Sequence, residues 1–597
     1  MKKTIVTLLA LALGLSSLSF TACGGGKKKI DFEKKIEALP ETLDNGTPSW
    51  KQGDTSPVTL SWFINTTGIG MSFGADDVTK KIEEETGVTI NFRTALTDDD
   101  QELTKMFTGG LTDIVTVVVS TSLKDSMAQQ GYVYPIEKLA ERCAPGMLEN
   151  GYNGYLHKEK DIQDYYRSDD GYTYGIPNFG YSSYYYDNET KLEPNGAILV
   201  REDWYNEVVR NNIDMTSPQG FLQGMQYVKN KYSDAIPVQL DQFTATGNKA
   251  ILWLEQYFAV PFEIEETGEL LYDYNHENYK EMLSFVNDLY VNEYMDSGNL
   301  SNNYSILSNN IANGRVFCTI GTPQDYRNAY VSCYKNGIKY IPLVLRNSKG
   351  EDPVLQDLRG YGWLYSMISK DCKHPDRVMK LFDYLTSPEG QLLVRYGVEG
   401  VAWEWADAEK THVKYTKQYI DDFKGSDGSF AGAHQYGAGA FLMLFNYGYS
   451  DTVKPIGEDA TAVMKEEDIY FHNLKRPLMP YSYSYMPYMI SGASVADNPG
   501  AYVQKENKVT RQYARYLPEL IQSRTKNDFD DMYTAVAGYL KTYGLEDILA
   551  VRKAGYERNK QILGLGTNAY PKYLSGYVSP KTGANGDFSY WEYITKN

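Results

Sequence analysis

The sequence predicts an α/β protein of two lobes, one inserted into the other and joined by a hinge. Three observations predict it. Between Val58 and Val119, short apolar runs alternate with charged stretches of helical period, the pattern of βαβ units and of a parallel sheet covered on both faces. Past Tyr174-Gly175-Ile176-Pro177 the pattern turns helix-rich, and a strand of the first kind returns at Leu358–Ile368. At 597 residues the chain is well beyond the size at which a single core keeps growing. A region inserted into another forces the chain to cross between lobes more than once, and such crossings make a hinge.

In chain order, the first segment is a leader. Lys2 and Lys3 precede an apolar run from Ile5 to Leu18, too short for a permanent membrane helix and suited to a secretory signal. Phe20-Thr21-Ala22-Cys23 resembles a bacterial lipobox, in which the thiol is diacylated and the chain is cut just before it. Phe20 departs from the aliphatic residue more usual there; the plain alternative is an ordinary signal peptide with a chance cysteine. Residues 1–22 are therefore expected to be a signal peptide, Cys23 the lipidation site, and 23–55, polar with Pro40 and Pro48, a flexible tether with room for one short helix. That places the protein on the outer face of the cell membrane, held by a lipid anchor.

The elements follow. Strands are expected at Val58–Ile64, Val88–Arg93 and Asp113–Val119, with helices at Asp76–Glu85, Asp99–Phe107, Ser122–Gln129 and Pro135–Arg142. A buried strand at Ala197–Val200 leads into Arg201-Glu202-Asp203-Trp204. Ser217-Pro218 caps a helix to Lys231, Asn278–Val291 is amphipathic, and Val316–Ile320 is a strand. Pro375–Leu385 is a helix, and from about 405 helical patterns surround Tyr/Gly-rich loops. Residues 56–176 and 350–405 are assigned to the first lobe, 177–349 and 406–597 to the second.

The net charge of −18 argues against nucleic acid or anionic lipid as a partner. Cys143, Cys318, Cys333 and Cys372 show no metal spacing and read as buried free thiols, a Cys318–Cys333 bridge being the local alternative. The chain carries 52 Tyr beside 8 Trp and 21 Phe, and tyrosine suits stacking on polar ring-shaped ligands such as sugars; packed loops of secreted proteins also use it.

The ordered pieces Leu111-Thr112-Asp113-Ile114-Val115, Tyr174-Gly175-Ile176-Pro177, Val200-Arg201-Glu202-Asp203-Trp204, Gly268-Glu269-Leu270, Thr386-Ser387-Pro388-Glu389-Gly390 and Tyr396–Trp403, behind a lipobox, resemble the extracellular solute-binding lipoproteins of ABC importers, in the long sugar-binding group of Gram-positive bacteria. The likeness runs from about 58 to 560. It implies a periplasmic-binding-protein-like fold with the ligand cleft between the two lobes, a carbohydrate ligand, an oligosaccharide above all, and delivery to an ABC permease pair. The chain is expected to be a monomer without a cofactor; no residue is assigned as a metal ligand, and a bound ion stays open at this point. A peptide or other polar solute is the second ligand class, and a surface hydrolase the rival function.

Gly70-Met71-Ser72-Phe73-Gly74 matches the G-x-S-x-G elbow of hydrolases, but it follows the first strand, so no earlier strand supplies the second oxyanion donor; a Gly-rich turn at a strand end is the plainer reading. Asp98-Asp99-Asp100 reads as helix capping. Asp421-Asp422 with Asp427-Gly428 lacks the glutamate of a calcium loop, and six scattered histidines, His434 and His472 among them, contain no zinc motif.

For the ligand, rings and polar groups at strand ends are the candidates: Trp62 and Asn65 after the first strand, Trp363 after Gly360-Tyr361-Gly362, and Trp403 and Trp405 in the turn from Val401. Asp113, Asp203 and Glu399 are candidate acceptors for sugar hydroxyls; Asp113 would equally orient a loop and Asp203 cap a helix. Trp204 and Trp253 lie in helical patterns and read as core. Tyr481, Tyr483 and Tyr485 alternate with period two, which puts three rings on one strand face.

Overall fold

A computed structural model describes residues 31–564 apart from 68, 98–99, 120–122, 169, 187–191, 245–246, 265–268, 359, 430–434, 491–494 and 497. The leader, Cys23 and His434 lie outside the described residues.

The first sheet is built from β1 (Val58–Asn65), β2 (Val88–Thr94), β3 (Ile114–Val118) and β4 (Ile176–Pro177). The second takes β5 (Ala197–Arg201), β6 (Ile236–Leu240), β7 (Val316–Gly321) and β8 (Tyr340–Pro342). Further on come β9 (Leu355–Gln356), β10 (Leu364–Ile368), β11 (Trp403–Trp405), β12 (His412–Tyr415), β13 (Lys454–Pro455) and β14 (Ser482–Tyr483).

In the first sheet the order is β2-β1-β3-β10-β4. β1 runs parallel to β2 and β3, with Trp62 opposite Phe92 and Ile114, while β10 returns antiparallel to β3, Leu364 opposite Val118. β3 and β10, in the middle of the sheet, are buried almost throughout because both faces are covered, with Thr116 and Ser366 bonded to each other across the pair, while the edge strand β2 exposes Asn91 and Arg93 and is only partly covered. Leu60, Trp62, Ile64, Ile114, Leu364 and Ile368 point to one core with the helices Asp77–Thr86 and Pro375–Thr386; Phe63, Val115, Val117, Tyr365 and Met367 point to the other. The second sheet has the order β8-β5-β7-β6, with β6 and β7 parallel and β5 antiparallel to β7. Its core is the largest in the molecule among the described residues. It also takes in the C-terminal helices Pro499–Ile521, Lys526–Thr542 and the start of Leu545–Ile562.

The segments linking the two sheets lie side by side. β9 pairs with β14, Pro194 bridges to Asp357, Asn195 donates to the Gln356 carbonyl at 3.0 Å and Leu358 to that of Glu193 at 3.1 Å. The buried Lys475 ammonium donates to the Pro194 carbonyl at 2.6 Å and pairs with Glu193 at 3.7 Å; burial pushes it down to about 8.

Several expectations need correction. The tether expected over 23–55 is folded from Asp31 onward. The helix Phe32–Glu37 packs Phe32 on Tyr134 and buries Ile36, Trp50 is 3% exposed in the first core, and Arg142 Nε donates to the Leu39 carbonyl. The two apolar anchors Ile36 and Trp50 outweigh the polar composition around them. Phe441, Met443 and Leu444, assigned to the second lobe, belong to the first core, and β11–β13 form a satellite sheet beside the helix Pro388–Tyr396. The Tyr481–Tyr485 stretch is a 3₁₀ turn followed by the two-residue β14, so it has no single face of three rings.

Cys143, Cys318, Cys333 and Cys372 are free and buried. Among the described residues no helix is long and apolar enough to cross a membrane, and no cluster of His, Cys, Asp and Glu is fit to hold a metal.

Candidate functional site

Open sheets with parallel strands bind ligands outside the carboxyl ends of those strands, because the loops there leave exposed polar groups on a rigid frame. In the first sheet that edge holds Asn65 at the end of β1, Asn178 and Phe179 after β4, and Trp363 just before β10. Trp363 is 41% exposed and is held from both sides: its amide donates to the Asn178 carbonyl at 3.1 Å, and its carbonyl accepts from the Val119 amide at 2.9 Å. Gly362 before it has φ +125°, and a Cβ there would stand 2.6 Å from Pro177 Cβ, so only glycine lets the indole sit where it does. Asn178 acts as a clamp, its amide nitrogen donating to the Leu442 carbonyl and its oxygen accepting from the Leu364 amide at 2.8 Å.

Beside Trp363 a row of rings continues. Phe179 lies 6.1 Å from it, Tyr447 5.7 Å from Phe179, and Tyr181 stacks on Tyr447 at 4.5 Å and 19°. Asn65 is buried; its nitrogen donates to Asp100, and its Oδ1 has no hydrogen-bond partner. This places the Asp100 carboxylate on Asn65 instead of on the cap of its own helix, Gln101–Gly109. Asp98 and Asp99 lie outside the described residues.

The matching edge of the second sheet lies past β6 and β7. Asp241 follows β6; its Oδ1 accepts from the Tyr326 hydroxyl at 2.6 Å and the Gln242 amide at 2.7 Å. Burial pushes its carboxyl above the ordinary range. Tyr304, 46% exposed, stacks on Tyr326 at 5.2 Å and donates its hydroxyl to the Asp325 carbonyl. The sequence reading missed Asp241, Phe179, Tyr447 and Tyr304. The signal for Asp241 was a lone acid directly after Ile236–Leu240, a run that is apolar except for Gln239 and is buried throughout.

Of the residues expected at the site, the structure brings Asn65 and Trp363 to one edge and puts the others elsewhere. Trp62 is fully buried inside β1 between Phe92 and Phe382, its indole nitrogen donating to Thr116 at 2.7 Å; period two points it into the core. Asp113 stands at the amino end of β3, where Oδ2 accepts from the Ser61 amide and hydroxyl and ties β3 to β1. Asp203 is chelated by Arg201 at 2.8 Å in the first turn of the helix Glu202–Arg210; since β5 runs antiparallel to β7, that end of β5 is at the opposite edge. Trp403 is 2% exposed and donates to the Gly397 carbonyl, and Trp405 meets it edge-on at 5.2 Å in the satellite core. Glu399 lies exposed in the turn that leads there.

The rival constellations also resolve. Ser72 is exposed in the loop after β1, and none of the described histidines hydrogen-bonds to it: His412 pairs with Asp407, His157 with Glu149, and His276 caps a helix. Asp422, in the helix Lys417–Gly425, accepts from Tyr436, and Asp421 pairs with Lys417.

A model of bacterial extracellular solute-binding proteins matches residues 77–397. Among solved structures, the chain is similar to the Streptococcus pneumoniae ABC-transporter substrate-binding protein FusA in complex with kestose, at 17% identity and a TM-score of 0.59 over 84% of this chain and 100% of that one. It is similar to a human-milk-oligosaccharide-binding solute-binding protein of Bifidobacterium longum infantis, at 13% identity and 0.59 over 85% and 99%. It is also similar to the alginate-binding protein AlgQ2, at 17% and 0.55 over 84% and 99%. At these identities the likeness is one of fold. No curated protein sequence matches the chain. The family model covers more than half of the sequence, and the chain belongs to the bacterial extracellular solute-binding protein family.

Proposed function

We propose that this protein captures an oligosaccharide between its two sheets' carboxyl edges and delivers it to an ABC permease pair, carrying out no covalent chemistry. The observation that carries the reading is the row Trp363, Phe179, Tyr447 and Tyr181 on the first edge. Sugars present C–H faces that pack on rings and hydroxyls that need partners; Trp363 is 41% exposed, Phe179 and Tyr447 are half-buried next to it, the buried Tyr181 backs Tyr447, and Asn65 stands on the same sheet edge. The solved structures of like fold, one bound to kestose, one alginate-binding and one binding human-milk oligosaccharides, support the same ligand class. Closure follows from contacts made only when both edges meet the ligand, since a ligand shifts the lobes only by its differential affinity.

The proposal includes a lipid anchor at Cys23 after removal of 1–22, with the folded part starting near Asp31 at the outer face of the membrane, and a monomeric chain. The test of capture is a thermal-shift and calorimetric screen of neutral and acidic oligosaccharides and of short peptides. A ligand at 100 times its Kd adds about 2.7 kcal/mol; stabilisation by peptides and by no glycan would replace the carbohydrate reading. The test of the anchor is Cys23→Ser, which should abolish fatty-acid labelling in the native host; label retained on the variant rejects it.

A further inference from the structure

On the second edge the Asp241 side chain is 8% exposed and half satisfied. Tyr326 and Gln242 hold Oδ1, while Oδ2 is buried with no hydrogen-bond partner. A carboxylate oxygen left without a donor is costly, and a folded protein that keeps one is holding an acceptor in reserve. Its surroundings show where a donor would enter. Oδ2 faces Gly321, the last residue of β7; a Cβ built there would lie 3.4 Å from Oδ2 and 3.5 Å from Asp241 Cβ, so the missing side chain leaves a notch at the strand end within a hydroxyl's reach of the acceptor. The acid is fixed from behind as well, Asn248 Nδ2 donating to its carbonyl at 2.6 Å.

On the same side, Tyr304 presents a half-exposed ring whose orientation is already set by the stack on Tyr326 and the bond to the Asp325 carbonyl, so a ligand laid on it pays little ordering entropy. Charge decides the kind of ligand. Lys249 is ion-paired with Asp325 at 2.7 Å beside Asp241, and on the first edge Arg93 pairs with Glu102 and Lys124 with Asp125. These three cations are thus matched by carboxylates, and Asp241 and Asp100 add two more. A ligand carboxylate would meet net negative charge at short range, where like charges repel by more than a sugar hydroxyl bond returns.

We propose that Asp241, with the Gly321 notch and the Tyr304–Tyr326 ring pair, forms a second-lobe subsite that accepts a hydrogen bond from a hydroxyl of an uncharged sugar and turns away uronate and sialylated glycans. The proposal rests on the carbohydrate reading and narrows it to neutral oligosaccharides.

The test is calorimetric titration of the full mature chain with kestose, mannopentaose and lacto-N-tetraose as neutral probes and trimannuronate and trigalacturonate as acidic ones, repeated on Asp241→Asn and Gly321→Ala. Asparagine keeps the shape and removes one acceptor; alanine at 321 fills the notch with an ordinary contact and no backbone strain. The expected result is binding of a neutral probe and of neither acidic one, with affinity lowered about 10- to 100-fold in both variants. Unfolding midpoints of the variants should stay close to that of the wild type. Acidic probes bound as tightly as neutral ones, or wild-type affinity in both variants, overturns the subsite and leaves the carbohydrate reading standing. Silence with every glycan overturns that reading, and the subsite falls with it.

Discussion

Arg558 donates from Nη2 to the backbone carbonyl of Asp164 at 2.9 Å and to that of Arg167 at 3.2 Å. Arg558 belongs to the C-terminal helix Leu545–Ile562, which starts in the core of the second sheet with Leu545 and Ile548. The acceptors end the helix Lys160–Tyr166, which packs Ile162 and Tyr166 under the first sheet. A cation at a helix carboxyl end gives the last carbonyls a charged donor and opposes the negative end of the helix dipole. The last helix is therefore a strap from one sheet's core to the other, beside the paired linking segments.

Arg558→Ala should detach the strap's far end. The expected outcome is faster amide exchange across 160–167 and 553–562, with a loss of about 1 to 3 kcal/mol in global stability. Unchanged protection in both segments would show that the contact ties nothing together.

The tryptophans separate into two kinds. Trp363→Ala should weaken binding of the ligand found by the screen by about 1 to 3 kcal/mol and cost little stability, because the ring is already half in water. Trp62→Ala and Trp403→Ala should each cost about 3 to 5 kcal/mol of stability, since both rings are buried with their nitrogens bonded. Calorimetry and denaturant unfolding of the three variants would check this; a large stability loss without loss of affinity in Trp363→Ala removes it from the site.

Asp383 is fully buried in the helix Pro375–Thr386, where Asn153 donates to its Oδ1 at 3.2 Å, and burial pushes its carboxyl up to about 7. An unfolded chain ionises this group near pH 4, so between about pH 4 and 7 the folded state binds the extra proton and stability falls as pH rises. Asp383→Asn removes the group's titration. The variant should be more stable than wild type at pH 7, by about 1 to 3 kcal/mol, with the difference vanishing near pH 4. Parallel unfolding curves at pH 4, 5.5 and 7 would measure it, and an equal offset at all three would reject the assignment.

Ser72 should not act as a nucleophile. The wild-type protein is expected to remain unlabelled by a fluorophosphonate probe and to leave every glycan it binds intact over hours. Labelling that disappears in Ser72→Ala would reopen the hydrolase reading.

The strands and helices around the first sheet were legible because their cause is local. The β-rich run Val58–Ile64, the charged helical stretch from Asp76 and the cap at Ser217 with Pro218 behind it are written in neighbouring residues, and the structure keeps those elements to within a few positions. The family, too, was legible from ordered short motifs. Side-chain placement at the site was not. Trp62, expected past the end of the first strand, lies inside β1, where its phase buries it, whereas Trp363 does stand beside a strand end, and Gly362 against Pro177 exposes it.

What the sequence alone determined here is the class of fold and the class of protein, since strand period, helix caps and motif order do not depend on distant partners. Tertiary structure decided which residues share an edge. Phe179, Trp363 and Tyr447 lie far apart along the chain, and Asp241 meets Gly321 and Tyr326 only because β6 and β7 are parallel neighbours with their carboxyl ends level. A pairing register is a sum of contacts across the whole sheet, so no short stretch of sequence contains it.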